Sequence, residues 1–383
     1  MTVSRRGFLQ VAGAGAVGSL LIPWASARGM ESLAGMRDLR VDARPDAPGV
    51  IRLNSNENPN GPGAVSLAAI TSALGEANRY PHGSITGLRS AIAESFHVDD
   101  DSVVLGCGSS DILRACVYAF VSADRPLVTS RPSYESPPED ARRLGARVLE
   151  VPVAADLKLD LDAMATAARG AGLVYLCNPN NPTSTVHGAA AIRAFVARIR
   201  AESPETTVLV DEAYHEYVDD PTYATALPLA LENPRVVIAR TFSKVYGLAG
   251  MRIGYGLGSA RTMAMIAPHV LSMGINHLAA AAATAGLADR AHTEQERILN
   301  RAARAFTLRS LADAGYPAVD SQANFLMVNL RRDAQPFRDA CRSAGVLVGR
   351  PFPPLDTHVR ISIGTLDEMH RGMDVFRQLL AAT

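Results

Sequence analysis

The order of apolar runs along this chain restricts its fold more than any other feature. Short β-type runs alternate with stretches of helical periodicity over roughly residues 80 to 290. Strands that are separated by helices usually lie parallel in one sheet, with helices on its faces. The sequence therefore predicts an α/β fold with a largely parallel sheet. The predicted strands cover residues 103–105, 127–129, 173–177, 208–210, 236–239 and 253–257, and the clearest helices cover 111–121, 138–144 and 189–200.

A smaller second domain is predicted near the C-terminus. A long charged amphipathic helix over residues 293–314 leads into another α/β unit, with strands near 325–329 and 358–363. A chain of 383 residues is long enough for two domains and a well-buried core. The predicted boundaries are a signal peptide over 1–27, an N-terminal arm and part of the small domain over 28–75, a large domain over 76–291 and a C-terminal small domain over 292–383.

The first residues are similar to a twin-arginine export signal. The run SRRGFLQ at residues 4–10 precedes an apolar stretch over residues 11–22, and small residues at 25–27 form a plausible cleavage site. About twelve apolar residues are too few to span a bilayer stably, so no stable membrane anchor is expected. This pattern predicts cleavage after Ala27 and a periplasmic or exported protein. A cytoplasmic protein with a cryptic signal is the alternative.

Composition favours small-molecule chemistry over nucleic-acid or lipid binding. Lys plus Arg total 38 and Asp plus Glu total 38, so no excess of positive charge is available for nucleic acid or acidic lipid. The nine histidines show no metal-ligand spacing, and the cysteines are too far apart in sequence for a typical zinc or dithiol motif. No metal site is therefore predicted. The cysteines are Cys107, Cys116, Cys177 and Cys341.

Polar residues follow several predicted strands at their carboxyl ends, where open parallel sheets bind ligands. The first such loop, GCGSSD at residues 106–111, has two glycines and the hydroxyls of Ser109 and Ser110 at the start of a helix. Glycine allows close backbone approach, and a helix N-terminus favours an anion. This loop is typical of a phosphate-binding cup. A capping turn without a ligand would have the same sequence.

Three later strand ends carry further chemistry. The loop NPNNPT at residues 178–183 is made rigid by prolines and presents amides. The motif DEAY at 211–214 places a carboxylate where burial is costly unless it meets a cation. The segment RTFSKVYGLAGMR at 240–252 adds hydroxyls, one lysine and an arginine. Together these groups would form a site for a phosphorylated ring that a lysine can capture.

The order and spacing of these motifs resemble the fold-type I pyridoxal-phosphate aminotransferases of class I and II, and the histidinol-phosphate aminotransferase group most closely. This resemblance implies a large domain with a mostly parallel mixed sheet flanked by helices, a smaller α/β domain, and pyridoxal 5'-phosphate as cofactor. It covers nearly everything after residue 50. The matching motifs are NENP at 56–59, RYP at 79–81, GLR at 87–89, the cup, PSY at 132–134, NPNNPT, DEAY, RTFSKVYGLAGMRIGYG at 240–256, ANF at 323–325 and VRISIGT at 359–365.

The resemblance assigns the catalytic groups to three residues. Lys244 would form a Schiff base with the cofactor and then move the substrate proton, which requires an amine whose pKa is lowered. Asp211 would keep the ring nitrogen protonated so that the ring withdraws electrons. Tyr214 would donate to the ring oxygen together with Asn181, and Tyr134 would stack on the ring.

The other binding residues are also carried over from the resemblance. Arg360 would hold the substrate α-carboxylate, with Asn324 and Asn56 nearby. Tyr80 would reach the phosphate of a neighbouring subunit, which implies a homodimer. The residues expected around the phosphate of the same chain are Ser109, Ser110, Thr241, Ser243 and Arg252.

Two features depart from the histidinol-phosphate group. Its members usually carry an arginine directly after a GVxV-type strand, whereas here Gly349 holds that place and Arg350 follows. An exported enzyme would also not meet an intermediate of cytoplasmic histidine synthesis. The sequence therefore predicts transfer of an amino group between a 2-oxo acid and either a donor other than histidinol phosphate or a broader range of donors. Aromatic and basic amino acids are the candidates.

Three alternatives stay open at this point. The first is a histidinol-phosphate:2-oxoglutarate aminotransferase of histidine biosynthesis. The second is a pyridoxal-phosphate decarboxylase or lyase on the same fold. The third is a non-catalytic exported binding protein that retains the cofactor cup.

Overall fold

A computed structural model describes residues 49–381 of the chain, so the predicted signal peptide and the arm up to residue 48 lie outside the described residues. The strands are β1 Ile51–Leu53, β2 Val103–Gly106, β3 Leu127–Arg131, β4 Val148–Pro152, β5 Leu173–Cys177, β6 Thr207–Asp211, β7 Val236–Thr241, β8 Gly254–Leu257, β9 Phe325–Asn329, β10 Val346–Val348 and β11 His358–Ser362. The α-helices are α1 Ala64–Ala73, α2 His82–Phe96, α3 Ser109–Phe120, α4 Ser136–Arg143, α5 Leu161–Ala167, α6 Ala189–Glu202, α7 Leu227–Glu232, α8 Ala260–Ile266, α9 His277–Ala288, α10 Arg290–Asp313, α11 Ala334–Ser343 and α12 Leu366–Ala381.

The central sheet has seven strands in the order β2-β8-β7-β6-β5-β3-β4. All neighbouring pairs run parallel except those of β8, which is antiparallel to both β2 and β7. The predicted α/β fold with a mostly parallel mixed sheet is therefore confirmed. Every residue of β5 and β6 is buried, which explains their continuous apolar sequences, because strands covered by helices on both faces need no polar alternation.

Side chains of the central strands alternate between two hydrophobic clusters. Along β5, Leu173, Tyr175 and Cys177 belong to one cluster, and Val174 and Leu176 belong to the other. The cluster that contains Tyr175 also holds the buried face of α3, whereas the other holds much of α9. Because helices cover each face of the sheet, a ligand can reach it at the polar carboxyl ends of the strands.

A third hydrophobic cluster lies around β1, β9, β10 and β11. Strands β9 and β11 pair antiparallel, close to where the sequence predicts them, and β1 pairs with β10 in parallel. The pairing of Ile51 with Val346 joins the beginning of the described chain to its last part. The residues that follow β1 also lie beside those that follow β7 of the central sheet, because the backbone oxygen of Asn56 accepts a hydrogen bond from Nζ of Lys244.

The sequence pattern missed several elements. Strands β1 and β10 have three residues each, which is too short for a recognisable period. Strand β4 was missed because it lies at the sheet edge and is only partly buried. Helix α3 begins at Ser109, two residues before the predicted start, so both serines of the cup lie in its first turn. None of the helices in the described part combines the length and apolar character needed to cross a bilayer.

Candidate active site

A cavity of about 380 Å³ lies at the carboxyl ends of β5, β6 and β7. It collects residues from both halves of the described chain, including the loop after β1, the loop between β10 and β11, and Arg360 on β11. Most of the predicted site residues line it: Asn56, Ser109, Ser110, Tyr134, Asn181, Asp211, Tyr214, Thr241, Ser243, Lys244, Arg252 and Arg360. The structure therefore brings together groups that are up to 304 positions apart in sequence (360 − 56).

The predicted phosphate cup has a backbone that only glycine fits. Gly108 caps α3 with φ 77° and ψ 165°, and a Cβ placed there would lie 2.6 Å from Nη2 of Arg252. A Cβ on Gly254 would lie 2.3 Å from the backbone nitrogen of Ser109. These contacts leave the first N–H groups of a 12-residue helix beside a guanidinium. The cup therefore suits a phosphate.

Hydroxyl groups complete the cup. The backbone N–H of Ser243 donates to Oγ1 of Thr241 at 3.0 Å, and that Oγ1 donates to Oγ of Ser243 at 2.9 Å. Nη1 of Arg252 approaches the same Ser243 hydroxyl at 3.5 Å. The Ser110 hydroxyl lies 3.3 Å from Oη of Tyr134. The hydroxyls and the guanidinium form the donor set that a phosphate dianion requires.

Asp211 is a buried carboxylate at the end of β6 that lines the cavity. Oη of Tyr175 donates to its Oδ2 at 2.8 Å, and the backbone N–H of Ala213 donates to its Oδ1 at 3.1 Å. Burial raises the pKa of Asp211 to about 6, while these two hydrogen bonds and Lys244 act in the opposite direction. A protonated ring nitrogen facing this carboxylate would supply the counter-charge that its burial calls for.

Lys244 follows β7 and lines the same cavity. Its Nζ donates to the backbone oxygen of Asn56 at 3.1 Å and lies 5.4 Å from the ring centroid of Tyr214. Burial lowers the pKa of Lys244 to about 8, and the positive charge of Arg360 adds to this effect, whereas Glu57 opposes it. Roughly a tenth of such an amine is uncharged at pH 7, far more than for an ordinary lysine, and the uncharged form is the nucleophile.

Arg360 on β11 is 8% exposed and is oriented by two acceptors. Its Nη1 donates to Oδ1 of Asn181 and its Nη2 donates to the backbone oxygen of Asn54, both at 2.7 Å. Because Asn181 uses its oxygen for this contact, its amide nitrogen is left to donate to a ligand. Burial lowers the pKa of Arg360 to about 10, with a further contribution from Arg350.

Asn56 links the first strand to the site. It has φ 53°, its backbone N–H donates to Oγ of Ser362 at 2.8 Å, and its Nδ2 donates to Oη of Tyr214 at 3.2 Å. Burial raises the pKa of Tyr214, so its hydroxyl keeps a proton that it can donate. Asn324 lies outside the cavity lining, where its Nδ2 donates to the backbone oxygens of Asn56 and Glu57 at 3.0 and 3.2 Å. Asn324 thus supports the loop that accepts from Lys244.

Tyr80 does not line the cavity of a single chain. Its side chain is 80% exposed and borders a separate depression with Met273 and Ile275. Tyr80 is therefore not placed to contact a ligand held in the cavity of its own chain. Within residues 49–381, no group of three or more His, Cys, Asp or Glu side chains is placed to hold a metal ion.

Several site residues were not identified from the sequence as site residues. Tyr175 lies inside β5, and only the register that pairs Cys177 with Asp211 brings its hydroxyl to the carboxylate. Arg350 and Phe352 reach the cavity from the loop between β10 and β11. Arg350 had been noted only as a displaced arginine, and Phe352 gave no signal beyond being apolar.

Residues 48–376 match the family of class I and II aminotransferases. The chain belongs to this family. A histidinol-phosphate aminotransferase of Symbiobacterium thermophilum is 37% identical over 334 residues, which cover 86% of this chain and 91% of that protein. An aromatic amino acid aminotransferase of Thermobifida fusca is 35% identical over 356 residues, covering 91% of this chain and 95% of that protein.

Solved structures agree with this membership. A histidinol-phosphate aminotransferase from Sinorhizobium meliloti, in complex with pyridoxal-5'-phosphate, has a TM-score of 0.82 at 28% identity, covering 97% of this chain and 99% of that chain. The predicted fold type, the transaminase activity and the pyridoxal-phosphate cofactor are therefore confirmed. The cavity fits this cofactor, because a glycine-bounded anion cup, a buried carboxylate and a lysine of lowered pKa all face it.

Proposed function

We propose that this enzyme is an amino-acid aminotransferase in which Lys244 carries the cofactor and moves the substrate proton. The observation that supports this proposal is the shared cavity of Lys244 and Asp211, whose charges are close enough to influence each other's pKa. When bound, pyridoxal phosphate supplies an aldehyde that reacts with amines and a ring that withdraws electrons from the substrate Cα.

The residues of the cavity divide into three groups around such a cofactor. Asp211 would hold the proton of the ring nitrogen, and Tyr175 would keep that carboxylate in place through its 2.8 Å hydrogen bond. Asn181 and Tyr214 would donate to the ring oxygen, and Tyr134 would cover the ring. The groups proposed to hold the phosphate are Ser109, Ser110, Thr241, Ser243 and Arg252.

Lys244 has the properties of a proton carrier at its Nζ atom. Its pKa of about 8 lies close to neutral pH, where a group is most effective both at accepting and at returning a proton. The hydrogen bond to the backbone oxygen of Asn56 holds the amine at one wall of the cavity. Removal of the amine would therefore abolish turnover without removing the phosphate cup.

Arg360 is the proposed binding group for the substrate α-carboxylate. A guanidinium can donate to both oxygens of a carboxylate at once, which sets the orientation of the attached Cα. Asn181 and the backbone of Asn54 already hold the plane of the guanidinium, so the side chain loses little orientational freedom when the substrate binds. The substrate would thus be aligned before any proton moves.

We propose a donor other than histidinol phosphate, with aromatic and basic amino acids as candidates. The backbone at Gly349 leaves no room for the arginine that the histidinol-phosphate group usually carries there. A Cβ on Gly349 would lie 2.8 Å from the backbone oxygen of Arg360 and 3.0 Å from its Cβ. The aromatic amino acid aminotransferase among the similar proteins supports this choice.

Histidinol phosphate is the second candidate. Arg350 lines the cavity together with Arg360, so two guanidinium groups are available to a phosphorylated substrate. Several of the similar curated proteins are also histidinol-phosphate aminotransferases. Nothing in the site favours the decarboxylase or lyase alternative.

A donor screen tests this proposal. The purified holoenzyme is supplied with 2-oxoglutarate and, separately, with histidinol phosphate, aromatic amino acids, basic amino acids and aliphatic amino acids. We expect the highest kcat/KM with an aromatic or basic amino acid. A much higher value for histidinol phosphate would favour the second candidate, and carbon dioxide release without a 2-oxo acid would indicate a lyase.

We also propose a homodimer in which Tyr80 completes the phosphate site of the other chain. The exposure of Tyr80 and its distance from the cavity of its own chain support this assembly. Mixing inactive Lys244→Ala and Tyr80→Ala proteins under subunit exchange should restore activity, because a mixed dimer would have one site with both groups intact. No recovery in mixed dimers that are shown to form would contradict the proposal.

Export through the twin-arginine route is a further proposal, as is the division into large and small domains near residue 291. The signal-like run at residues 4–10 supports export. Fractionation of cells that produce the wild-type chain or an Arg5→Lys, Arg6→Lys variant tests it. An equal cytoplasmic fraction for both proteins would contradict export.

A further inference from the structure

One residue of the cavity lining, Arg350, forms an ion pair with a residue of another loop. Arg350, in the loop between β10 and β11, lines the cavity, and its Nη2 donates to Oε2 of Glu135 in a short contact. Glu135 precedes α4 and directly follows Tyr134. Both side chains of the pair are about half exposed, at 48% for Arg350 and 49% for Glu135.

Arg350 is the cation of the cavity that has no role in the proposed reaction of an amino acid; only the second candidate, histidinol phosphate, would use it. The other basic side chains that line it are Lys244, Arg252 and Arg360, which are assigned to catalysis, phosphate and α-carboxylate. Arg350 is also held on its other side, because its Cζ lies 4.3 Å from the ring centroid of Phe352. Its guanidinium could therefore bind an anion, but a carboxylate of the protein itself already occupies that position.

We propose that Glu135 is a specificity-determining positioning residue that competes with the side chain of the substrate for Arg350. This inference rests on the proposed function, since it concerns the substrate end opposite the α-carboxylate. Nη2 of Arg350 is occupied by Glu135, and its Nη1 donates to the backbone oxygen of Pro351 at 2.9 Å. A substrate carboxylate that binds both terminal nitrogens in the fork geometry must therefore displace Glu135. Neutral side chains leave the ion pair intact. Glu135 thereby lowers the affinity for dicarboxylic substrates relative to neutral ones.

The exposure of the pair makes this exchange possible. An ion pair between half-exposed groups is weak, because water screens both charges and solvates them when they separate. Displacing Glu135 should therefore change the affinity for a dicarboxylic acid by only about two- to fivefold. The contact with the face of Phe352 holds the guanidinium near the cavity after Glu135 has left. A dicarboxylic acid is thus discriminated against without being excluded.

Two unreactive acids of equal chain length test the proposal in the holoenzyme. Glutarate has a second carboxylate and pentanoate does not, and their dissociation constants are measured from the change in cofactor absorbance on binding. In Glu135→Gln, which keeps the shape of the side chain and removes its charge, we expect glutarate to bind about two- to fivefold more tightly. The affinity for pentanoate should be the same as in the wild-type protein.

Matched variants separate this effect from general changes. Glu139→Gln makes the same chemical change four residues away, where the carboxylate contacts Arg143, and should alter neither affinity. Glu135→Asp keeps the charge and should retain most of the discrimination. Arg350→Gln should weaken glutarate binding selectively, and Glu135→Gln should have no further effect on glutarate in that background.

The measurement does not depend on turnover, so its outcome is separate from that of the proposed function. Selective tightening of glutarate supports the subsite even in a protein that transfers no amino group. Equal changes for both acids in Glu135→Gln would overturn the proposal. So would unchanged glutarate binding in Arg350→Gln, or the absence of detectable glutarate binding in every variant.

Discussion

Replacing Gly108 with alanine tests whether the cup before α3 holds the cofactor phosphate. Gly108 has φ 77° and ψ 165°, a backbone conformation that residues other than glycine adopt at a cost of about 1–3 kcal/mol. The added Cβ would lie 2.6 Å from Nη2 and 3.1 Å from Cζ of Arg252. The guanidinium is the end of a flexible side chain, so we expect it to move away from the cup while the fold persists.

The magnitude follows from the contact that this movement removes. A hydrogen bond between a charged donor and an anion contributes about 1.5–3 kcal/mol. Loss of the Arg252 contact should therefore raise the dissociation constant of pyridoxal phosphate roughly 10- to 150-fold. We would measure this constant by absorbance titration of the cofactor-free protein, and measure unfolding separately.

A second glycine provides the control. Gly87 lies within α2, and a Cβ placed there would meet nothing within 4 Å. Gly87→Ala should therefore keep the cofactor affinity and gain up to about 1 kcal/mol of stability from the better helix propensity of alanine. If Gly108→Ala bound pyridoxal phosphate as tightly as the wild-type protein, the assignment of the cup to the phosphate would be refuted.

Four further predictions concern Lys244 and two buried carboxylates. Because the pKa of Lys244 is lowered to about 8, its amine loses its proton as the pH rises through about 8, and an amine-specific reagent should modify it in the cofactor-free protein with that midpoint. Borohydride reduction of the holoenzyme should attach the cofactor to Lys244 and not to Lys158, the other lysine of the chain. Asp211→Asn should lower kcat on the order of 100- to 1000-fold, with an unchanged circular dichroism spectrum, because the site loses a charge and keeps its shape. Glu212→Gln should reduce the free energy of unfolding by about 3–5 kcal/mol, measured with denaturant, since it leaves Arg240 buried without its 2.7 Å ion-pair partner.

Each of these predictions has a contrary outcome. Attachment of the cofactor to Lys158 would remove Lys244 from its proposed role. Wild-type turnover by Asp211→Asn would show that a neutral partner for the ring is sufficient. For the buried ion pair, Glu202→Gln is the control, because the carboxylate of Glu202 is solvated at the surface and its removal should leave stability nearly unchanged. Equal losses in Glu202→Gln and Glu212→Gln would contradict the reasoning from burial.

The sequence by itself determined the central sheet, apart from its edge strand β4, and the residues at its carboxyl edge. Strands β5, β6 and β7 contain apolar runs that are long enough to be recognised. The polar residues that end or directly follow these strands, such as Asp211, are adjacent to the runs in sequence. Parallel strands in one sheet place these ends at one edge, so Asp211 and Lys244 could be expected to share a site before any coordinates were considered.

Only the tertiary structure decided the opposite wall of the cavity. Asn56 reaches Tyr214 because the three-residue strand β1 pairs with β10, and Arg360 is oriented by Asn54, 306 positions earlier. The contact of Arg350 with Glu135 joins loops that are 215 positions apart. Such contacts leave no periodic pattern in the sequence, because they depend on how separately formed elements pack together. The catalytic groups and, through the family resemblance, Arg360 were therefore predictable from the sequence. The contacts that orient Arg360 and that pair Arg350 with Glu135 were not.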